Sequence, residues 1–381
     1  MKIAIDATVL WGERRYSGVE KMVDRVVYRI LQSDGDHEFR VFVPGDWAGF
    51  EEDLEGRFQP GISPAIFPLP FRGGQRLLRI GWQQISLPRT LASWGADVIF
   101  SPAYIMPLRA RCPAVVYVHD LHGLRLDRTR PENYLHHRLF LPPTLRRART
   151  VITNSQAVLD EVRPLLPRTT RCLSIPLGVD AMFSPGPRES PSPQDENDDP
   201  FILFVGNLER RKGLDLVLGA MPVIVERRPD LRLMLVGKDR GGLAATREII
   251  QRLDLADHVE IAGFVSPERL VGLYRRARVL VLPSLSEGFG LTPLEAMACA
   301  TPVVAVDSPA VRENLGDAAI LVPPLPSDLA AAILRVLEDA NLRGRLVSAG
   351  PEHARQFTWE RTAEGILDEI VAAGGMGGVG D

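Results

Sequence analysis

Short apolar runs alternate with amphipathic stretches along almost the whole chain. The first run, Lys2 to Asp6 (KIAID), reads as a buried strand. After a loop from Ala7 to Gly18, VEKMVDRVVYRILQ places Val19, Met22, Val23, Val26, Val27 and Ile30 on one side at helical spacing. Strand-like segments recur at Glu38 to Val43, Asp97 to Phe100, Ala114 to Val118, Thr150 to Thr153 and Arg171 to Ile175, with helical patterns between several of them. A second series follows: FILFV from Phe201, LRLMLV from Leu231, HVEIAG from His258, VLVLP from Val279, TPVVAV from Thr301 and AILVP from Ala319. Strands alternating with helices predict doubly wound parallel sheets of the α/β class.

Between the two series, residues 184–200 (SPGPRESPSPQDENDDP) lack apolar periodicity and are rich in proline, serine and acid, which reads as a linker. The expected organisation is a first domain over 1–183, the linker, and a second domain over 201–357. A C-terminal helix at about 358–373 offers Trp359, Ile366, Leu367 and Ile370 for packing, and the tail at 374–381 (GGMGGVGD) is expected to be disordered.

With 381 residues, 45% hydrophobic and 24% charged, the chain has length for two full cores. A net charge of −3 does not suggest a nucleic-acid partner. Cys112, Cys172 and Cys299 lie far apart without C-x-x-C spacing, so neither a zinc site nor a disulfide framework is indicated. The opening MKIAIDATVL lacks the pattern of a signal peptide, and no run approaches the ~20 apolar residues of a spanning helix. A cytoplasmic protein is expected.

Charge is nevertheless partitioned. Residues 57–171 carry seventeen Arg against six Asp or Glu, whereas residues 1–56 carry seven basic against twelve acidic residues. Within the basic part, FRGGQRLLRIGWQQISLP mixes Arg72, Arg76 and Arg79 with Phe71, Leu77, Leu78, Ile80 and Trp82. Two readings stay open for it: a helix with its basic face in water, or a segment lying at the inner face of an anionic membrane or gripping a lipid-diphosphate acceptor.

The densest chemistry lies at 279–306, VLVLPSLSEGFGLTPLEAMACATPVVAV. A buried strand ends at Pro283, and Gly288 and Gly290 let a ligand approach bare peptide N–H groups. Thr292 suits an N-cap and Pro293 a first helical position, so a helix is expected from Pro293 to about Ala300, its N-terminus a seat for phosphate. Glu287 and Glu295 flank that seat and suit sugar hydroxyls, since a carboxylate can accept both bonds of a vicinal diol. The competing reading makes Thr292 and Glu295 a capping box and Glu287 a solvated loop residue.

The stretch EGFGLTPLEAMACATPVV resembles the E-x7-E signature, EGFG-x-x-x-LEAMACGTPVV, of the retaining GT-B glycosyltransferases of family 4, with Ala300 where glycine is commoner. The resemblance runs over nearly the whole chain, densely over 201–322. It implies two facing Rossmann-like domains with a cleft between them, the C-terminal helix crossing back to the first. It also implies that Glu287 contacts the transferred sugar, that Glu295 holds the nucleotide ribose, and that Gly288, Phe289, Gly290 and Leu291 line sugar and diphosphate.

Other motifs carry further roles by the same resemblance. Ser17-Gly18-Val19-Glu20 resembles the family's GGxE turn and brings the Gly18 backbone toward the donor diphosphate. VVYVHDLHGLR resembles its V-x-x-HD-L segment, in which His119 faces the donor sugar. GNLERRKG resembles G-R-x-x-x-x-K-G, with Lys212 on the lysine and Asn207 on the arginine. Arg211 is the candidate to replace that arginine, because cations at a strand–loop–helix junction can neutralise a departing diphosphate. Gly237 and Val265 end strands where the family binds the base, IPLGVDAMFSPG resembles its hinge, and Glu313 falls on its customary acid. No D-x-D element stands where a metal-dependent transferase would hold Mg²⁺, so the expectation is metal-free, cofactor-free transfer of a sugar from a nucleotide-diphosphate donor to a glycan or lipid-linked acceptor. The GNLERRKG and HDL contexts point to GDP-mannose, as in bacterial mannosyltransferases of surface polysaccharide assembly.

Rival readings have their own signatures. A nucleotide-linked oxidoreductase would carry G-x-G-x-x-G after a strand, a spacing that neither IDATVLWGERRYSG nor VGNLERRKG has. A non-catalytic sugar-nucleotide binder would keep the pocket without turnover, and a GT-B phosphorylase or epimerase would need phosphate or no acceptor.

Overall fold

A computed structural model describes residues 1–10, 17–72, 75–124, 131–186 and 200–375, without the side chains of 131–133. The expected linker and tail fall largely outside these residues. The chain divides into two compact units: Met1–Gly178 together with the chain from Thr358 onward, and Val179–Phe357.

The first unit is built on β1 (Lys2–Asp6), α1 (Gly18–Gln32), β2 (Glu38–Pro44), β3 (Ile66–Leu69), α2 (Arg76–Gly81), α3 (Leu87–Trp94), β4 (Val98–Ser101), β5 (Ala114–Val118), α4 (Pro131–Arg147), β6 (Thr150–Thr153), α5 (Gln156–Val162) and β7 (Arg171–Ser174). A π-helical segment, Trp82–Ser86, joins α2 to α3. All seven strands are parallel, in the order β3-β2-β1-β4-β5-β6-β7. The chain winds outward from β1 to β3, then restarts on the other side of β1 with β4. Strand β3 was not foreseen, because Pro68 interrupts a four-residue run, and proline belongs only on a sheet edge, where β3 lies.

The second unit contains β8 (Phe201–Val205), α6 (Leu214–Arg227), β9 (Arg232–Val236), α7 (Leu243–Arg252), β10 (Val259–Gly263), α8 (Pro267–Arg276), β11 (Val279–Leu282), α9 (Leu291–Ala298), β12 (Val303–Val306), α10 (Pro309–Leu315), β13 (Ile320–Val322), α11 (Pro326–Glu338) and α12 (Ala340–Ala354). Its parallel sheet runs β10-β9-β8-β11-β12-β13, so the winding reverses between β8 and β11. Both sheets are of the doubly wound kind that the strand–helix alternation predicts.

Apolar strands buried on both faces hold each sheet, as parallel sheets covered by helices require. In the second unit Ile202, Phe204, Leu233, Leu235, Val279 and Val281 pack with α6 and α11 in one continuous core. In the first, Ile99, Val116 and Val118 pack with Leu87, Leu91, Leu141 and Leu145 on one face. The last helix, α13 (Trp359–Gly375), packs on α1 and on β4, β5 and β6 of the first unit. It is tied there by Arg29 Nε to Glu360 at 2.8 Å and by Arg171 Nε to Glu369 at 2.5 Å. Among the described residues no helix is long and apolar enough to cross a membrane.

Candidate active site

In open doubly wound sheets, ligands bind beyond the carboxyl ends of the strands where the winding reverses. In the second unit that place is the pair of loops after β8 and β11. The β8 loop ends in a tight turn, Arg210–Lys212, closed by Gly213 at φ 64°. A Cβ at Gly213 would stand 2.1 Å from the Pro283 carbonyl oxygen, so only glycine lets these two loops touch. A second close approach lies beside it. A Cβ at Gly237, just past β9, would meet the Gly206 carbonyl oxygen at 1.8 Å and the Asn207 amide at 3.3 Å. Gly237 thus has a packing role that its place at the end of a strand does not reveal.

The touching loops bring three of the expected residues together. Lys212 Nζ donates to Glu287 Oε1 at 2.6 Å, and Arg211 Nη1 lies 3.9 Å from Glu287 Oε2. Burial pushes the Glu287 carboxyl up, but Lys212 first and Arg211 next more than offset it and hold the group below the usual glutamate range. Glu287 is therefore an ionised, half-buried acid and not a solvated loop residue. Arg211 is anchored too, donating to Glu209 Oε1 at 2.5 Å and to the Ser286 carbonyl at 3.0 Å.

Beyond Glu287 the loop runs straight into α9. The helix begins at Leu291, two residues earlier than the Thr292-Pro293 pattern suggests, because Gly290 at φ 92° turns the chain ahead of it. No side chain caps α9, so the Thr292–Glu295 capping box is absent. Glu295 instead lies 5% exposed inside the unit and accepts a hydrogen bond from Tyr274 Oη of α8 at 3.0 Å. Burial, with Glu295 beside it, raises the Tyr274 hydroxyl well above its ordinary value, so this residue is a fixed donor. The Phe289 ring packs at 5.8 Å against Phe357, and its carbonyl accepts from Asn314 Nδ2 at 2.8 Å. Both groups are thus engaged within the second unit. Val265 does not end a strand: β10 stops at Gly263, and Val265 is buried just before Ser266, the N-cap of α8.

The remaining two expected residues belong to the first unit. Gly18 is the exposed first residue of α1, behind a complete capping box in which Glu20 accepts from the Ser17 amide at 2.6 Å. His119 follows β5 and is 5% exposed. Its Nε2 lies 2.9 Å from the Pro102 carbonyl, which can only accept, so the proton sits on Nε2 and Nδ1 keeps its lone pair. Burial lowers its pKa to about 4 against the opposing pull of Pro102 and Asp120, which leaves a neutral imidazole. Asn154 Nδ2 bonds the His119 carbonyl at 3.0 Å, and the Tyr104 ring lies 5.3 Å away.

Sequence reasoning missed Tyr274, Asn314 and Tyr104. Tyr274 sits in the ordinary amphipathic stretch PERLVGLYRR, where nothing marks its hydroxyl. Tyr104 has φ 68°, a left-handed conformation that a bulky residue seldom adopts and that no local pattern announces.

Two family models together match most of the chain: Glycosyltransferase Family 4 over residues 16–183 and Glycosyl transferases group 1 over residues 187–353. The chain belongs to glycosyltransferase family 4. Curated relatives include the D-inositol 3-phosphate glycosyltransferase of Nocardiopsis dassonvillei, 35% identical over 59% of this chain and 56% of the relative. Another is the phosphatidyl-myo-inositol mannosyltransferase of Mycolicibacterium smegmatis, 36% identical over 54% of this chain and 53% of the relative. The chain thus spans about half the length of the curated relatives it matches. Among solved structures, Anabaena HepE in complex with UDP-glucose aligns at TM-score 0.72 and 21% identity, over 98% of this family 4 chain and 100% of HepE. WaaG, a glycosyltransferase involved in lipopolysaccharide biosynthesis, aligns at TM-score 0.70 and 17% identity over 97% of this chain and 99% of its own. These likenesses fix the fold as GT-B α/β.

Proposed function

We propose that the chain is a retaining glycosyltransferase that moves a hexose from a nucleotide-diphosphate sugar to a glycan or lipid-linked acceptor, without a metal. The observation that carries this reading is the Lys212–Glu287 pair at the reversal point of the second sheet, bonded at 2.6 Å. The pair is neutral as it stands. A diphosphate takes the Lys212 ammonium, and a sugar hydroxyl replaces it at Glu287, so donor binding separates the two charges into their working roles. Lys212 then stabilises the charge that grows on the leaving diphosphate, and Glu287 holds the sugar. The Gly288, Gly290 and Leu291 backbone lines sugar and diphosphate, and Glu295, preset by Tyr274, takes the ribose.

Front-face substitution is the proposed course: the bond from anomeric carbon to diphosphate oxygen breaks, the acceptor oxygen bonds to the same face, and the acceptor proton passes to the departing oxygen. Neutral His119, with its bare Nδ1, accepts a hydrogen bond from a sugar hydroxyl. GDP-mannose is the proposed donor, on the resemblance to mannosyltransferases and the mannosyltransferase among the relatives; UDP-glucose, bound in HepE, is its rival. The exposed Leu77, Leu78 and Ile85 support peripheral contact with a membrane at its cytoplasmic face.

The test is direct. Full-length protein is incubated with nucleotide sugars and candidate acceptors, and acceptor-dependent release of nucleoside diphosphate is followed. A thermal-shift panel of GDP, UDP, ADP and dTDP identifies the base, since a ligand at 100 times its Kd adds ~2.7 kcal/mol of stability. Failure of every nucleotide in that panel to stabilise the chain overturns the reading.

A further inference from the structure

The loop between β11 and α9 is held in place by a closed circuit of contacts. Asn314, in α10 and 3% exposed, donates from Nδ2 to the Phe289 carbonyl at 2.8 Å. The other end of Asn314 is held as well. Its own carbonyl, among those at the end of α10 that lack a helical partner, lies 2.7 Å from His353 Nε2 of α12. A carbonyl only accepts, so Nε2 carries a proton there. His353 lies in turn against Phe357, ring centroids 5.4 Å apart, and Phe357 meets the Phe289 ring edge-on at 5.8 Å. The circuit returns to the residue from which it began, and all four members belong to the second unit.

What this circuit fixes is the direction of one amide. Among the described residues every peptide bond is trans, and in a trans peptide the carbonyl of one residue and the N–H of the next point opposite ways. With the Phe289 carbonyl drawn toward Asn314, the Gly290 N–H is aimed away from α10. Gly290 is buried, and its N–H has no acceptor among the described residues. A bare buried amide is costly, and this one stands at the uncapped, positive end of α9, so an anion answers both needs at once.

We propose that Asn314 is a positioning residue for the donor diphosphate: by holding the Phe289 carbonyl, it keeps the Gly290 N–H turned toward the sugar-bearing phosphate. Were the Phe289–Gly290 peptide to turn over, a carbonyl oxygen would face that phosphate in place of an amide, and attraction would become repulsion. His353 acts one step further back, by keeping Asn314 where it is. Phe357 hinders the Phe289 ring from following the peptide round. Asn314 acts on the donor only through this peptide. The identity of the anion rests on the glycosyltransferase reading; the circuit that aims the amide does not.

Titration calorimetry on the full-length chain compares GDP with GMP, UDP with UMP, ADP with AMP and dTDP with dTMP, pairs that differ by that phosphate. Asn314→Leu, close in volume but without the donor, is expected to weaken the bound diphosphate about tenfold and to leave its monophosphate nearly unchanged. His353→Phe should give the same selective loss by a smaller factor, and His353→Gln, which keeps an N–H donor, should restore most of it. A role in stability alone would lower both affinities together or neither. An unchanged ratio of diphosphate to monophosphate affinity in Asn314→Leu therefore overturns the proposal. Should Asn314→Leu fail to fold with the Phe289 carbonyl left bare, His353→Phe carries the test by the same criterion. Failure of the glycosyltransferase reading looks different: the parent chain then binds none of the four diphosphates, and the proposal falls with it.

Discussion

The two sheets reverse their winding in the same way but equip the reversal point differently. In the second unit, one acid and one base meet and cancel: Glu287 bonds Lys212 at 2.6 Å with Arg211 at 3.9 Å. In the first, Arg79 faces the carboxylates of Asp6 and Glu20, and Asp6 also accepts from Thr8 and Gln83. A cancelled pair can be opened by a ligand that brings both a negative diphosphate and sugar hydroxyls. In the first unit the corresponding charges are shared among several hydrogen-bonded groups, on a closely similar scaffold.

The largest effects should come from breaking the neutral pair. Lys212→Ala and Glu287→Ala are each expected to lower kcat by ~10²–10³, as loss of one preorganised charge partner does. Each also strands a buried partner, the side chains being 15% and 10% exposed, so stability should fall by about 3 kcal/mol in urea titrations. Lys212→Met combined with Glu287→Leu should regain the stability without the activity. The sign with pH follows from the depressed Glu287 carboxyl: its contribution is present above 4.5, its ordinary value, and is lost as pH falls through the lower folded value. The double variant should lack that acid loss.

Much of this architecture was legible because its signals are local. FILFV, LRLMLV and VLVLP are buried on both sides and read as strands without help, and the family motif located Lys212 and Glu287 near the loops that join. What escaped depends on contacts distant in sequence. The Thr292–Glu295 pattern is a proper capping box on paper, yet Gly290 starts the helix early and Tyr274, 21 positions away, claims the carboxylate. The basic segment posed the same difficulty. Its leucines and arginines were visible, but which of them face out is set by the Gln83 bond to Asp6, 77 positions away.

The histidines of the first unit should produce the next largest effect. His119 and His136 are held neutral, at about 4 and about 3, against an ordinary value of 6.5. Their stabilising contribution is therefore complete above 6.5 and is lost as pH falls from there toward the folded values, by up to about 3 kcal/mol for the fully buried His119. Urea midpoints from pH 7 to pH 4 should fall less steeply in His119→Gln than in the parent.

A smaller change tests the ribose role of Glu295. Tyr274→Phe removes one donor from a buried carboxylate, which should cost ~1–3 kcal/mol of stability. If Glu295 holds ribose, donor KM rises while kcat changes little, since this contact exists equally before and during transfer. An unchanged KM would leave Glu295 a purely structural acid.

The smallest effect separates strain that accompanies a site from strain that does not. Each unit holds a non-glycine residue in the left-handed region: Tyr104 at φ 68° after β4 in the first, and Ala300 at φ 63° between α9 and β12 in the second, at the sheet edge opposite the β8 and β11 loops. Ala300 closes a Schellman turn after α9, with its amide on the Met297 carbonyl at 2.9 Å and the Thr301 amide on the Ala296 carbonyl at 2.9 Å. That position favours glycine, and an alanine Cβ there costs ~1–2 kcal/mol. Glycine in turn loses more chain entropy on folding, by ~0.4–1 kcal/mol, so Ala300→Gly should raise stability by a net ~0.5–1 kcal/mol with transfer unaltered. Tyr104→Gly relieves the same strain but removes the ring between His137 and His119, so it should lose acceptor affinity even if the fold gains. Equal effects of the two glycines on acceptor KM would show that Tyr104 is strained for the sake of the turn alone.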